Sequence, residues 1–269
     1  MLYKDVAEKL QEEYSKLFKA AIPGLIIDPK LIELSDHGIS NGEFDREFID
    51  GGLGICVREL YKRNVDNTQV GYTGKLLGWF PDQFLPEHRH RDILAVPNKN
   101  HTDTRFLKSK SFDKFMKHQL RNFIRLENLV QNFSGLVGFE NRDYDFFTLK
   151  EDGERIEDGI VPKGSILIPG KAETFDIIYG DGSFFLPGEE TKCPRYSIPK
   201  SQYQYVENKH EIYLKASEQL KLPPNTPHSA RAGPRGMVAI EYSMPSRDEA
   251  DIFTDPRIKR KVEIIERPK

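Results

Sequence analysis

Pro86-Glu87-His88-Arg89-His90 sets two imidazoles two residues apart. In a β-strand residues i and i+2 project from the same face, so His88 and His90 can reach one ion. By itself this spacing reads two ways, as a metal-binding pair or as two surface histidines on a charged turn. Two distant stretches bear on the choice. Glu173-Thr174-Phe175-Asp176-Ile177-Ile178-Tyr179-Gly180 carries a carboxylate ahead of an apolar run, and Leu222-Pro223-Pro224-Asn225-Thr226-Pro227-His228 delivers a third imidazole from a Pro-rich turn. Three histidines and one carboxylate suit a divalent first-row ion of borderline softness, such as Mn, Zn, Fe or Ni.

Around these stretches, from Gly71 onward, short apolar runs alternate with Pro, Gly and Asn. Leu76-Leu77-Gly78-Trp79-Phe80, Phe146-Phe147-Thr148-Leu149, Ser165-Ile166-Leu167-Ile168, Glu211-Ile212-Tyr213-Leu214 and Val238-Ala239-Ile240-Glu241-Tyr242 are of this kind. Many short strands with turn signals predict a mainly β sandwich or barrel. Upstream, Val6, Leu10, Tyr14, Leu17 and Phe18 share one face of a helix predicted over residues 4–20 and stopped by Pro23-Gly24. Residues 35–54 read as loop, and residues 55–61 as either strand or short helix. Phe112, Phe115, Met116, Leu120, Phe123, Leu126, Val130 and Phe133 recur at steps of three and four, which predicts a helix over 111–133 with Ser111 as N-cap and Gly135 as stop. The expected organisation is an N-terminal helical and loop extension over 1–70, then a barrel over 71–269 with a helical insert near 105–140.

Composition narrows the function classes. The chain has 269 residues, of which 38% are hydrophobic, and its 17 Phe and 11 Tyr are enough for a packed core. Forty basic and 42 acidic residues leave a net charge of -2, which argues against a nucleic-acid partner. No apolar run approaches the ~20 residues of a membrane span. The start Met1-Leu2-Tyr3-Lys4-Asp5 lacks the apolar core of a signal peptide. Two cysteines, Cys56 and Cys193, make neither a disulfide framework nor a zinc-finger cluster. A soluble, cytoplasmic protein without a membrane partner is expected.

His88-x-His90, Glu173 with Gly180, and Pro223-x-Asn225-x-x-His228 together resemble the two motifs of the cupin superfamily. The resemblance implies a double-stranded β-helix, or jelly roll, with His88, His90, Glu173 and His228 as metal ligands. Two departures stand out. Asn225 occupies a position where the family prefers Gly, and Asn also tolerates a left-handed turn. His90 and Glu173 are 83 residues apart where the family has a handful, so a hairpin must have accepted a long insertion. Loop closure costs grow only logarithmically with length, which makes this tolerable. A finer resemblance, to the sugar-isomerase cupins of the D-lyxose ketol-isomerase type, rests on residues 85–91, 170–175, 222–228 and 240–248. It implies a small-molecule sugar substrate, and cupins often pair as homodimers.

Chemistry assigns further roles. Interconverting an aldose and a ketose moves a proton between C1 and C2 through an enediol, and a carboxylate free of the metal must carry that proton. Glu241, lone among apolar neighbours in the strand after His228, is the candidate. Lys171 shares a face with Glu173 and is placed to hydrogen-bond the enediolate. Tyr179, Tyr213 and Arg235 are weaker candidates for a sugar pocket. Asp251, Asp255 and Arg257 read equally as a lock on the last strand or as functional groups.

Two other readings use overlapping residues. His90, Asp92 and His228 form the ligand set of an Fe(II)/2-oxoglutarate oxygenase, with Arg235 or Arg247 for the cosubstrate. A non-catalytic carbohydrate-binding cupin would need only the pocket. Lys171 and Glu241 discriminate: an isomerase requires both to point into the metal cavity.

Overall fold

The computed structural model describes residues 2–35, 53–65, 68–97, 123–125, 144–148, 160–162, 165–168, 170–243, 251–258 and 264–266. In chain order these form β1 (Leu2–Tyr3), α1 (Lys4–Ala21), a 3-10 turn (Pro29–Leu31), β2 (Glu33–Ser35), β3 (Leu53–Val65), β4 (Thr68–Trp79), β5 (Phe84–His90) and β6 (Ile93–Pro97). There follow β7 (Phe123–Arg125), β8 (Tyr144–Thr148), β9 (Ile160–Pro162), β10 (Ile166–Ile168), β11 (Glu173–Leu186) and β12 (His210–Lys215). Last come β13 (Gln219–Leu222), β14 (His228–Ser243), β15 (Asp251–Phe253) and β16 (Ile264–Ile265). The mainly β expectation holds.

One antiparallel sheet dominates, in the order β12-β11-β14-β4-β3-β2. Its centre is β14, a strand long enough to take two successive partners on one side. His228 to Arg231 pair with β5, and Met237 to Ser243 pair with β4. On its other side β11 follows it from Phe185 to Glu173. The ladder bends where the register shifts near Gly180 and Gly236, which hold φ of 70° and 76°. A Cβ on Gly180 would lie 1.9 Å from the Gly236 carbonyl oxygen, so this bulge needs glycine both for its backbone angle and for its close approach. Trp79, Leu85, Phe175, Phe184 and Met237 form a buried apolar cluster with the sheet's strands.

Residues 55–61 resolve as strand, within β3, which pairs with β4 from Val65 back to Gly54. The predicted N-terminal helix is α1. It buries Ala7, Leu10, Tyr14 and Phe18 against Leu76 and Val238 of the sheet. The Phe18 ring occupies the space a Cβ on Gly78 would need, 2.7 Å away, and Tyr14 stacks on Phe80 at 3.9 Å between ring centres. The Tyr14 hydroxyl donates to Gln83 Oε1 at 3.0 Å, which satisfies this buried phenol.

The long excursion between His90 and Glu173 leaves and returns through an antiparallel stem. Ile93, Leu94 and Ala95 of β6 pair with Ile168, Leu167 and Ile166 of β10, and β8 flanks β6 on its other edge. That stem brings Glu173 back beside β5. The helix predicted over 111–133 lies almost wholly outside the described residues. The three that are described, Phe123–Arg125, are strand and pair with β9. An apolar pair such as Phe123-Ile124 satisfies either period over so short a span, and the β9 partner decides it.

Candidate metal centre

Strand alternation aims the first two imidazoles. On β5, His88 and His90 face one way and Glu87 the other, and all three are buried. Glu87 is covered by the segment between β11 and β12 and accepts hydrogen bonds from Glu207 N, Asn208 N and Asn208 Nδ2 at 3.2, 2.8 and 3.1 Å. The third imidazole arrives by register, since His228 at the start of β14 pairs with His88. It is launched from a turn in which Asn225 holds φ of 62°, the left-handed conformation expected of it.

One ligand atom from each of His88, His90 and His228 lies within 4.8 Å of the others. Each ring is oriented through Nδ1. His88 Nδ1 donates to the Pro86 carbonyl at 3.0 Å and His228 Nδ1 to the Thr226 carbonyl at 3.0 Å. His90 Nδ1 donates to Asp251 Oδ1 at 2.5 Å. Carbonyl and carboxylate oxygens only accept, so the protons sit on Nδ1 and the Nε2 lone pairs are left for an ion. Phe253, two residues beyond Asp251 on β15, stacks on His88 at 5.2 Å.

Glu173 sits at the same point. Its Oε1 lies 3.2 Å from His90 Nε2 and its Oε2 3.3 Å from His228 Nε2. Neither nitrogen is aligned for a hydrogen bond there, and both are buried. Buried, unpartnered nitrogens converging with a carboxylate are what a divalent ion requires of its ligands. Burial is the largest influence on all three imidazoles and holds each below its ordinary pKa, in the neutral form that can ligate. Burial also opposes ionisation of Glu173, but the Lys171 ammonium beside it outweighs burial, and the carboxyl stays well below the usual range.

Beside this cluster Lys171 Nζ lies 2.6 Å from Glu173 Oε1 and donates to Glu241 Oε1 at 2.9 Å. Alternation on β14 turns Glu241 inward and Tyr242 outward. Lys75 on β4, directly opposite Glu241 in register, adds a second ammonium 3.4 Å from Oε1. Burial opposes the Glu241 charge, yet Lys171 and Lys75 together pull its pKa down to about 2. Burial likewise opposes the Lys171 charge, and Glu173 and Glu241 overcome it.

All six candidate residues, His88, His90, Glu173, His228, Lys171 and Glu241, are therefore brought together. Others are not. Asp92 does not join the histidines; its Oδ1 accepts from Gly170 N and Asn225 Nδ2. Tyr213 donates to Asp181, and Arg235 lies 3.7 Å from the same carboxylate, on the far part of β11 from Glu173. Tyr179 packs toward α1. Asp255 ties Gln202 to Arg257, a structural lock. Sequence reasoning missed Lys75 and the part Asp251 plays. Lys75 carried the same signal as Glu241, a lone charge beside Leu76-Leu77, whereas nothing local to Asp251 marks it.

No family model matches the chain. It is 45% identical over 104 residues to a D-lyxose ketol-isomerase of Thermofilum sp. (strain ex4484_79), covering 39% of this chain and 57% of that protein. It is 48% identical over 96 residues to a D-lyxose/D-mannose isomerase of Thermosediminibacter oceani, covering 36% of this chain and 53% of that one. The matches thus span little more than half the length of these relatives. Among solved structures, the L-ribose isomerase of Cellulomonas parahominis with L-ribose superposes with a TM-score of 0.56 at 11% identity, over 98% of this chain and 99% of that one. That of Acinetobacter sp. DL28 with L-ribose gives 0.55 for a mutant enzyme, again at 11% identity and over 98% of each chain. Among the described residues no helix is long and apolar enough to cross a membrane. The chain has the fold of the L-ribose isomerases, and part of its sequence is similar to that of D-lyxose ketol-isomerases.

Proposed function

We propose that this protein is a metal-dependent aldose–ketose isomerase acting on a small sugar such as D-lyxose. One observation carries the reading: a buried carboxylate held ionised by two lysines, Glu241, stands beside a cluster of three imidazoles and Glu173. A site built only to bind sugar has no need of a charged base there. The similarity to D-lyxose ketol-isomerases supports the same substrate class.

His88, His90, Glu173 and His228 would hold the ion. When bound, a divalent ion supplies Lewis-acid polarisation of the sugar carbonyl and its neighbouring hydroxyl. Glu241 takes the proton from C2 of the open-chain aldose, leaving an enediolate, and returns it to C1, while the O2 hydroxyl proton passes to O1, so that C1 gains hydrogen and C2 becomes the carbonyl of the ketose. Lys171 keeps Glu241 ionised and presents an ammonium to the oxygen on which negative charge grows. Phe253 and Phe175 set apolar rings against His88 and His228. The reading extends to a homodimer, as the resemblance implies, to a place in the cytoplasm, as the composition suggests, and to manganese, zinc, iron or nickel as the ion.

The test is a panel of aldoses and ketoses in D2O, with protein loaded with manganese or zinc. Interconversion with deuterium entering at C1 or C2 is expected. Tight sugar binding without exchange would instead establish a carbohydrate-binding protein.

A further inference from the structure

We propose that Asp92 is a positioning residue, a single carboxylate that clamps together the three chain segments bearing His88, His90, Glu173 and His228. The inference rests on the metal-site reading above and goes beyond it. Asp92 lies two residues past His90 at the exit of β5. Its Oδ1 accepts from the backbone N–H of Gly170 at 2.7 Å and from Asn225 Nδ2 at 2.8 Å. Gly170 leads into Lys171 and Glu173. Asn225 belongs to the turn whose Thr226 carbonyl orients the His228 ring. The 78 and 133 residues that separate Asp92 from these donors are thereby bridged at one oxygen.

The junction is tight as well as bonded. A Cβ on Gly170 would lie 1.9 Å from the His90 carbonyl oxygen and 3.0 Å from Asn225 Oδ1. Any side chain at 170 would wedge the β5 exit apart from the Asn225 turn. The same contact explains why Asn stands at 225. Glycine would satisfy the positive φ but could not donate to Asp92. The β5–β14 and β11–β14 ladders fix the register of the three ligand strands, and this clamp ties together the segments at their ends before an ion arrives.

The test is chelator competition for manganese(II) on the full chain, with the visible spectrum of bound cobalt(II) as second readout. Asp92→Ala is expected to weaken manganese binding about 10-fold or more, as loss of an outer partner typically does, and to alter the cobalt spectrum. Asp92→Asn keeps an oxygen able to accept both bonds and should recover most of the affinity. Asn225→Gly should weaken binding by less, and should add nothing in the Asp92→Ala background. Folded Asp92→Ala with wild-type affinity and spectrum, even at a lower melting temperature, overturns the proposal. Should Asp92→Ala not fold, Asn225→Gly decides, and unchanged affinity there overturns it equally. Wild-type protein that binds no manganese or cobalt would sink the metal-site reading itself, a result distinct from variants that bind like wild type.

Discussion

Lys171 and Glu241, 70 residues apart in the chain, meet as a buried ammonium–carboxylate pair 2.9 Å long at the edge of the histidine cluster. The pair is not isolated: the same ammonium serves Glu173, and the same carboxylate oxygen faces Lys75. Two cations and two carboxylates thus neutralise one another where water is excluded, which is the arrangement a buried charge needs to persist.

Glu241→Gln is the sharpest probe of proton transfer. The amide fills the same space and ligates no proposed ion, so metal content should stay at wild-type level. Proton exchange between C1 and C2 should fall by at least about 100-fold, the scale of general acid–base catalysis. Deuterium incorporation by NMR measures it, and exchange at the wild-type rate would remove Glu241 from the reaction.

Lys171→Met leaves Glu173 and Glu241 buried without their shared cation. Breaking a buried charge set in this way costs about 3–5 kcal/mol. Urea denaturation of chelator-treated protein should show that loss. Added manganese should return part of it, because an ion on Glu173 replaces the missing positive charge. A loss of the same size with and without manganese would argue against Glu173 as a ligand.

His88→Ala and His228→Ala each remove one buried nitrogen donor. Elemental analysis should show about one divalent ion per wild-type chain and a near-empty site in either variant. Adding chelator should lower the melting temperature of wild type, since an ion that binds only the folded chain stabilises it, and should leave that of the variants unchanged.

Acid should weaken the metal-free fold in a defined window. His88, His90 and His228 are held below their ordinary value of 6.5, chiefly by burial. Below that pH the unfolded chain binds protons that the folded chain refuses, so stability is full above it and drains as pH falls toward the folded values. Each proton of difference is worth about 1.4 kcal/mol per pH unit. Melting curves of chelator-treated protein from pH 8 to pH 5 should be flat above neutrality and decline below about 6.5. A flat profile throughout would contradict the neutral, buried imidazoles.

The α1 face offers a test of the fold apart from chemistry. Phe18→Ala removes a ring that fills the Gly78 hollow and should cost about 3–5 kcal/mol. Tyr14→Phe leaves Gln83 Oε1 its backbone donor, Phe80 N at 2.9 Å, and should cost only about 1 kcal/mol. Thermal and urea unfolding separate the two.

What the sequence determined by itself was local. The i, i+2 spacing of His88 and His90 puts both rings on one face of any strand. Asn225 is suited to a left-handed turn wherever that turn lies, and Glu241 among Val238, Ala239 and Ile240 is anomalous without any partner in view. The α1 stripe is legible for the same reason, since its period is written in neighbouring residues. Only the tertiary structure decided which strands became neighbours. Asp251 reaches His90 across 161 residues and Lys75 reaches Glu241 across 166, and both contacts depend on strand register that no local pattern carries. Tyr213 and Arg235 meet at Asp181, beyond Gly180 on β11 and away from the Glu173 end, a placement fixed by strand pairing and not by any local pattern. Periodicity encodes the face a side chain takes within its own element, whereas convergence of distant elements is settled by long-range pairing and by the burial of what lies between them.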